Sequence, residues 1–265
     1  MIVRALAGFL LASAIAIAGR FARSLSTGGA VAAVAVGTAA AMAGWDWAGI
    51  LILFFVTSSA LSRFRRAARE ARISSIVEKS DERDAWQVLA NGGLFAIAAI
   101  FAVSTPNVDW SWGVLAFGAL AAATSDTWAT EIGTLAGRPP RSIVSLKALP
   151  AGTSGGVTLP GVAASLAGAS LIALAAYVAG TVNNPGPVLA GGIAGSLADS
   201  LVGATIQERR WCDGCSQSTE RRVHSCGSTT RVVGGVRGAR NDFVNVVCTI
   251  VGGMVAVLVA GLGGG

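Results

Sequence analysis

Long apolar runs alternate with short polar or basic stretches along this chain of 265 residues. Eight runs approach the roughly 20 apolar residues that carry a helix across a bilayer. They cover about 3–19, 28–43, 47–61, 87–104, 111–128, 157–180, 187–206 and 242–260. Several are short or glycine-rich, so seven or nine spans would also fit. None shows the period-2 alternation of a barrel strand. A soluble core helix keeps a polar face, whereas these runs are apolar all round. The pattern predicts an all-α polytopic membrane protein of about eight transmembrane helices, some of them broken or short. Residues 1–265 read as a single integral membrane domain.

Composition agrees, with 53% hydrophobic and only 13% charged residues, against about 25% charged in soluble domains. Met1, Arg4 and the apolar run to Ala18 resemble a signal peptide loosely. A second apolar run follows at once, so we read an uncleaved first span. The net charge of +6 does not call for nucleic acid, because loop topology accounts for it. With eight spans, 19 of the 20 basic residues (all but Arg4) fall on one side. The positive-inside rule makes that side cytoplasmic. The chain is thus expected in a bacterial inner membrane, with 62–86, 135–155 and 207–240 inside and both termini outside. Single cysteines placed in those three loops should be labelled only from the cytoplasmic side. Labelling of any one from the outer side alone would break the eight-span topology.

Three apolar runs carry acids or amides: TSDTWATEIG (124–133), GSLADSLVGATIQ (195–207) and RNDFVNVV (240–247). A carboxylate in hydrocarbon is costly and is usually retained for a site. Asp126, Glu131, Asp199 and Asp242 are therefore the candidate catalytic and Mg²⁺-binding residues. Carboxylates in basic surroundings suit Mg²⁺ and phosphate handled at a membrane surface. Asp126 and Glu131 differ by roughly 140° on an unbroken helix. They would meet on one ion only if the helix unwound near Gly133, and otherwise serve two subsites. Ser196, Asp199, Gly203 and Gln207 form one helical stripe, and Asn241 and Asn245 another. The bland alternative for these groups is polar glue between helices.

The segment 62–86 reads as a cytoplasmic amphipathic linker with Arg65, Arg69 and Arg72 near one face. Asn91 follows, beside Gly92 and Gly93, which predicts a broken helix or a ligand contact. Gly152, Thr153, Ser154, Gly155 and Gly156 lie in PAGTSGGVTLPG, before an apolar helix. Successive N–H groups there could cradle an anion, or the segment could be a plain entry turn. The loop 207–240 holds Cys212, Cys215, His224 and Cys226, a soft ligand set for a candidate structural Zn²⁺. Free thiols or a redox pair are the alternatives. Cys248 reads as a small buried hydrophobe.

TSDTWATEIG, GTSGGVTLPG, GSLADSLVGATIQ and NDFVN resemble the signatures of one integral membrane family. That family includes transmembrane protein 19 and the plant phytyl-phosphate kinase of tocopherol synthesis. The resemblance runs over essentially the whole chain, most closely from Asn91 to Val247. It implies a phosphotransferase that moves a phosphoryl group from CTP or ATP to an isoprenyl monophosphate such as phytyl, geranylgeranyl or farnesyl phosphate. It also implies that Asp126, Glu131, Asp199, Asn241, Asp242, Asn245 and the 152–156 turn are the family's polar motifs. Ser196, Gln207, Asn91 and Lys147 complete the expected contacts, with Arg138 and Arg141 also placed to meet phosphates. VVGGVRGA, ahead of NDFVN, is a departure-prone stretch that bears on headgroup contacts. The expected partners are lipid, isoprenyl monophosphate and nucleotide, not nucleic acid. Two other classes carry similar residues. A cytidylyltransferase-type enzyme would release pyrophosphate, and a lipid or small-solute transporter would place its substrate near the midplane.

Overall fold

The computed structural model describes residues 2–64, 82–105 and 111–263. Eight α-helices occur among them: α1 (Ile2–Phe21), α2 (Thr27–Ala43), α3 (Trp45–Arg63), α4 (Ala85–Ser104), α5 (Trp112–Gly133), α6 (Leu159–Val178), α7 (Pro185–Thr205) and α8 (Asn241–Leu262). The sequence states where four of the eight start. Ser26, Asp84, Thr158 and Asn184 each accept a first-turn N–H at the head of α2, α4, α6 and α7. These side-chain oxygens satisfy amides that a helix start leaves unpaired. At α4, Gln87 answers with a bond to the Asp84 N–H, completing a capping box. Proline opens both α6 and α7, where a missing N–H costs nothing.

Six of the eight helices are long and apolar enough to cross a bilayer. The short one is α2, with 17 residues. The other is α5, and its position explains its lower hydropathy. Every residue from Val114 to Ser125 is buried, so α5 meets protein on all faces. It packs on α4, α6, α7 and α8 and is the axis of the bundle. Lipid does not wet it, so the polar residues at its end need not be apolar. The outward faces of the surrounding helices carry the exposed large hydrophobics, such as Leu6, Leu10, Leu174 and Leu258.

Close helix approach rests on small residues, as in other membrane bundles. A Cβ on Gly195 of α7 would stand 2.4 Å from Ala122 Cβ of α5 and 2.6 Å from the Cys248 carbonyl oxygen of α8. No other residue fits there. Thr249 Oγ1 donates to the Ala90 carbonyl at 3.1 Å, tying α8 to α4. At the far end, Trp47, Phe95 and Phe117 form an aromatic cluster with centroids 4.9–5.7 Å apart.

The long connections gather at the end that holds the basic loops. Between α5 and α6, β1 (Arg141–Ser142) pairs antiparallel with β2 (Gly156–Val157). Between α7 and α8, β3 (Arg209–Cys212) lies between β4 (Gln217–Thr219) and β5 (Arg231–Gly234). The 207–240 segment is thus a small sheet, which its polar sequence did not foretell. Of the segment read as an amphipathic linker, residues 65–81, including Arg65, Arg69 and Arg72, lie outside the described residues.

Candidate functional site

One cavity of about 370 Å³ opens where the C-terminal ends of α5 and α7 meet the N-terminal ends of α4, α6 and α8. Its lining includes Asn91, Asp126, Glu131, residues 152–156, Ser196, Asp199, Gln207, Asn241 and Asn245. Segments far apart in the sequence therefore contribute to a single space. Two expected residues stay out of the lining. Asp242 follows Asn241 by one position on α8 and is not among the lining residues. Lys147 sits exposed beyond the β1 turn. Of the two loop arginines, Arg138 lines the cavity, while Arg141 donates to the Leu146 carbonyl at 2.9 Å.

The helices that carry the acids do not unwind. α5 continues through Gly133 as one helix, so Asp126 and Glu131 keep their angular separation. Their neighbours differ accordingly. Asp126 reaches across to Asp199 of α7, within hydrogen-bonding range. Asp199 Oδ2 is buried and has no hydrogen-bond partner. Two carboxylates from facing helices, one with an orphaned buried oxygen, are a donor set that suits a hard divalent cation. Glu131 instead accepts from Ser62 Oγ of α3 at 2.7 Å and lies beside the half-buried Arg83. The α4 helix is likewise unbroken at Asn91-Gly92-Gly93, and Asn91 lines the cavity.

Beneath the carboxylates runs a ladder of hydroxyls. Ser125 and Ser165 Oγ lie 2.6 Å apart, and Ser165 Oγ donates to Ser196 Oγ at 3.2 Å. It links α5, α6 and α7 and explains part of the polar content as interhelical glue. The 152–156 turn packs directly on α7. Gly155 has φ +76°, and a Cβ there would stand 2.4 Å from Ala204 Cβ. The anion cradle expected from this turn is reduced. The N–H groups of Thr153 and Gly156 are committed to the Pro150 and Thr153 carbonyls. The start of α6 adds Gly161 and Val162 to the lining.

Several cavity residues carry no signal in the sequence, namely Ser62, Arg83, Gln87, Glu208, Glu220 and Arg240. They lie in charged stretches, where solvated side chains look the same. Glu208 accepts from the Gly238 N–H at 2.6 Å and also pairs with Arg210. The Gly238 bond, with help from Arg210, holds its carboxyl below the ordinary range. It thereby fastens the segment that leads into α8. Glu220 enters from the β-lobe and accepts from Ser154 Oγ at 2.6 Å and Gln207 Nε2 at 2.9 Å.

The four Cys and His residues come together outside the cavity. Their ligand atoms lie within 4.8 Å of one another. Bonds from Ser228 and His224 pull the Cys226 thiol down to about 5. Hydrogen bonding to Cys226 pushes Cys215 up to about 11. Cys248 is buried in α8.

A family model described as integral membrane protein DUF92 matches residues 10–253. The chain is 34% identical over 223 residues to the uncharacterized membrane protein MJ0933 of Methanocaldococcus jannaschii, covering 82% of this chain and 77% of that protein. It is 29% identical over 251 residues to Protein PGR of Arabidopsis thaliana, covering 85% of each. Protein VTE6, chloroplastic, of the same plant is 26% identical over 259 residues, covering 94% of this chain and 68% of that protein. No solved structure matches the chain.

Proposed function

The chain belongs to the integral membrane protein family DUF92, and from that premise we propose that it is a Mg²⁺-dependent phosphotransferase acting on an isoprenyl monophosphate. The phosphoryl donor is a nucleoside triphosphate, CTP or ATP, and the site faces the cytoplasm. The observation that carries this reading is the Asp126–Asp199 pair with its orphaned oxygen, inside a cavity that cations also line. Arg83, Arg138 and Arg240 supply positive charge for phosphates. The N-termini of α6 and α8 favour anions at the same place.

The cavity has an apolar wall as well. Val162 and Leu166 of α6, with Ile193 and Leu197 of α7, line it. Leu166 is 45% exposed and Leu197 is 49% exposed on a bundle that sits in lipid. An alkyl chain could run along that wall while its phosphate meets the carboxylates and arginines. A free sugar or nucleoside acceptor would have no use for such a wall.

The chemistry asks little of the protein beyond placement. An oxygen of the acceptor monophosphate attacks the γ-phosphorus. The bond from that phosphorus to the β–γ bridging oxygen breaks, and the nucleoside diphosphate leaves. The acceptor oxygen is already anionic, so no strong general base is required. Mg²⁺ held by Asp126 and Asp199 would neutralise charge on the phosphoryl oxygens. Arg83, kept in place by Glu131 and by its contact with Ser59 Oγ at 3.4 Å, meets the phosphates from the α4 side.

The test is a product assay. Purified protein is incubated with Mg²⁺, a panel of nucleoside triphosphates, and phytyl, geranylgeranyl and farnesyl monophosphates. The expected products are an isoprenyl diphosphate and a nucleoside diphosphate. Pyrophosphate with a nucleotidylated lipid would instead make it a cytidylyltransferase-type enzyme.

A further inference from the structure

The lobe between α7 and α8 lacks the usual means of holding a fold. Its hydrophobic residues that are buried, from 206 to 240, are Cys212 and Ala239. A segment of this size without a core ordinarily needs a metal or covalent staple. Yet its strands are in register and its turns are closed. Arg210 alone bonds Thr230 twice, through Nε to Oγ1 and Nη2 to the carbonyl, both at 2.8 Å.

The four soft ligands sit on two turns that face each other. The first is the β3–β4 hairpin, where Cys212 ends the strand and pairs with Gln217. Cys215 lies in its turn. The second is closed by the His224 N–H bond to the Ser228 carbonyl and the Gly227 N–H bond to the His224 carbonyl, both at 2.9 Å. It carries His224 and Cys226, and Gly227 takes φ +85° to close it. The turns touch: a Cβ on Gly214 would stand 2.8 Å from Ser228 Oγ. Cys212 and Cys226 Sγ are 3.6 Å apart, and His224 Nδ1 is 3.2 Å from Cys226 Sγ. A tetrahedral zinc with bonds of about 2.3 Å to sulfur separates its ligands by about 3.8 Å. The observed spacings need only small shifts to reach that shape.

Between the two turns the chain passes through Glu220. This residue follows β4 directly and reaches Ser154 and Gln207 in the cavity. Its charge lies within electrostatic reach of Asp199. The lobe therefore both closes a soft-ligand site and delivers one acid to the polar cavity.

We propose that Cys212, Cys215, His224 and Cys226 bind one structural Zn²⁺, and that this ion, by locking the two turns together, holds Glu220 against Ser154 and Gln207. All four positions are taken by protein, so the metal is closed to water and substrate. Glu220 is a positioning residue that fixes the 152–156 turn. The metal site stands whether or not the phosphotransferase reading does, because nothing in it depends on the reaction.

Full-length protein purified in detergent without chelator should contain about one zinc per chain by elemental analysis. A mercurial should release it as the loop thiols are titrated. In hydrogen exchange, stripping the zinc should speed exchange in 152–156 and 217–224 by about tenfold or more. Glu220→Gln should keep its zinc yet loosen 152–156 alone. The C212S/C215S double variant should purify without zinc, and if it does not fold, the mercurial release from unaltered protein answers the same question. Unaltered protein lacking zinc, or holding another metal in its place, would overturn the site. Exchange in 152–156 that ignores both zinc removal and Glu220→Gln would overturn the link to the cavity.

Discussion

Replacing Asp199 by asparagine should abolish turnover while leaving the bundle folded. The amide keeps the shape of the side chain and removes the charge that a divalent cation needs. Asp199 lies against the Asp126 carboxylate, and its Oδ2 is buried with no donor of its own. Losing a charge that acts on the transferring phosphoryl group costs on the order of 10³ in rate or more. The loss should fall on kcat, with lipid KM little changed, because the interaction strengthens in the transition state. Asp126→Asn should behave similarly, since the two carboxylates lie within hydrogen-bonding range. Asp242→Asn should stay within about threefold of the unaltered rate, because Asp242 is outside the cavity lining. Near-normal turnover of Asp199→Asn, or turnover independent of Mg²⁺, would remove the pair from the mechanism.

The largest effect on stability is expected at Gly195. Valine there would drive a Cβ into Ala122 and into the Cys248 carbonyl oxygen. Both obstacles belong to helix backbones or to atoms fixed on them, so neither can swing aside. Overpacking commonly costs 1–3 kcal/mol, and a clash on two sides belongs at or above about 3 kcal/mol. Gly195→Val should therefore lower the melting temperature in detergent sharply or prevent recovery of monodisperse protein. Gly93→Ala is the matched control. No atom stands within 4 Å of a Cβ there, and alanine is the better helix former. It should melt at or above the unaltered temperature. Equal melting of the two variants would contradict the packing of α5, α7 and α8.

The helices were legible because lipid demands long apolar runs. The predicted 87–104 and 242–260 fall within two residues of Ala85–Ser104 and Asn241–Leu262. The predicted 111–128 stops short of Gly133 for a definite reason. Polarity rises at Thr124, and an apolar count reads that as the membrane edge. The helix in fact continues, because its polar turns face a cavity instead of lipid. The acids Asp126, Glu131 and Asp199 stood out against an apolar background. Arg83, Arg240 and Glu220 had no such contrast, and only the folded chain brings them to the cavity. Asp242 carried the same contrast in the sequence, but the cavity lining takes its neighbours Asn241 and Asn245 and not Asp242. The small sheet between α7 and α8 was invisible because strands of three or four residues are too short to show a period.

Transfer of a γ-³²P label from the nucleoside triphosphate tests the account most directly. With geranylgeranyl monophosphate and Mg²⁺, the label should appear in the lipid diphosphate for unaltered protein. It should be absent for Asp199→Asn protein that elutes and melts normally. Label that stays in the nucleotide, emerges only as inorganic phosphate, or leaves as pyrophosphate would contradict phosphoryl transfer at the Asp126–Asp199 pair.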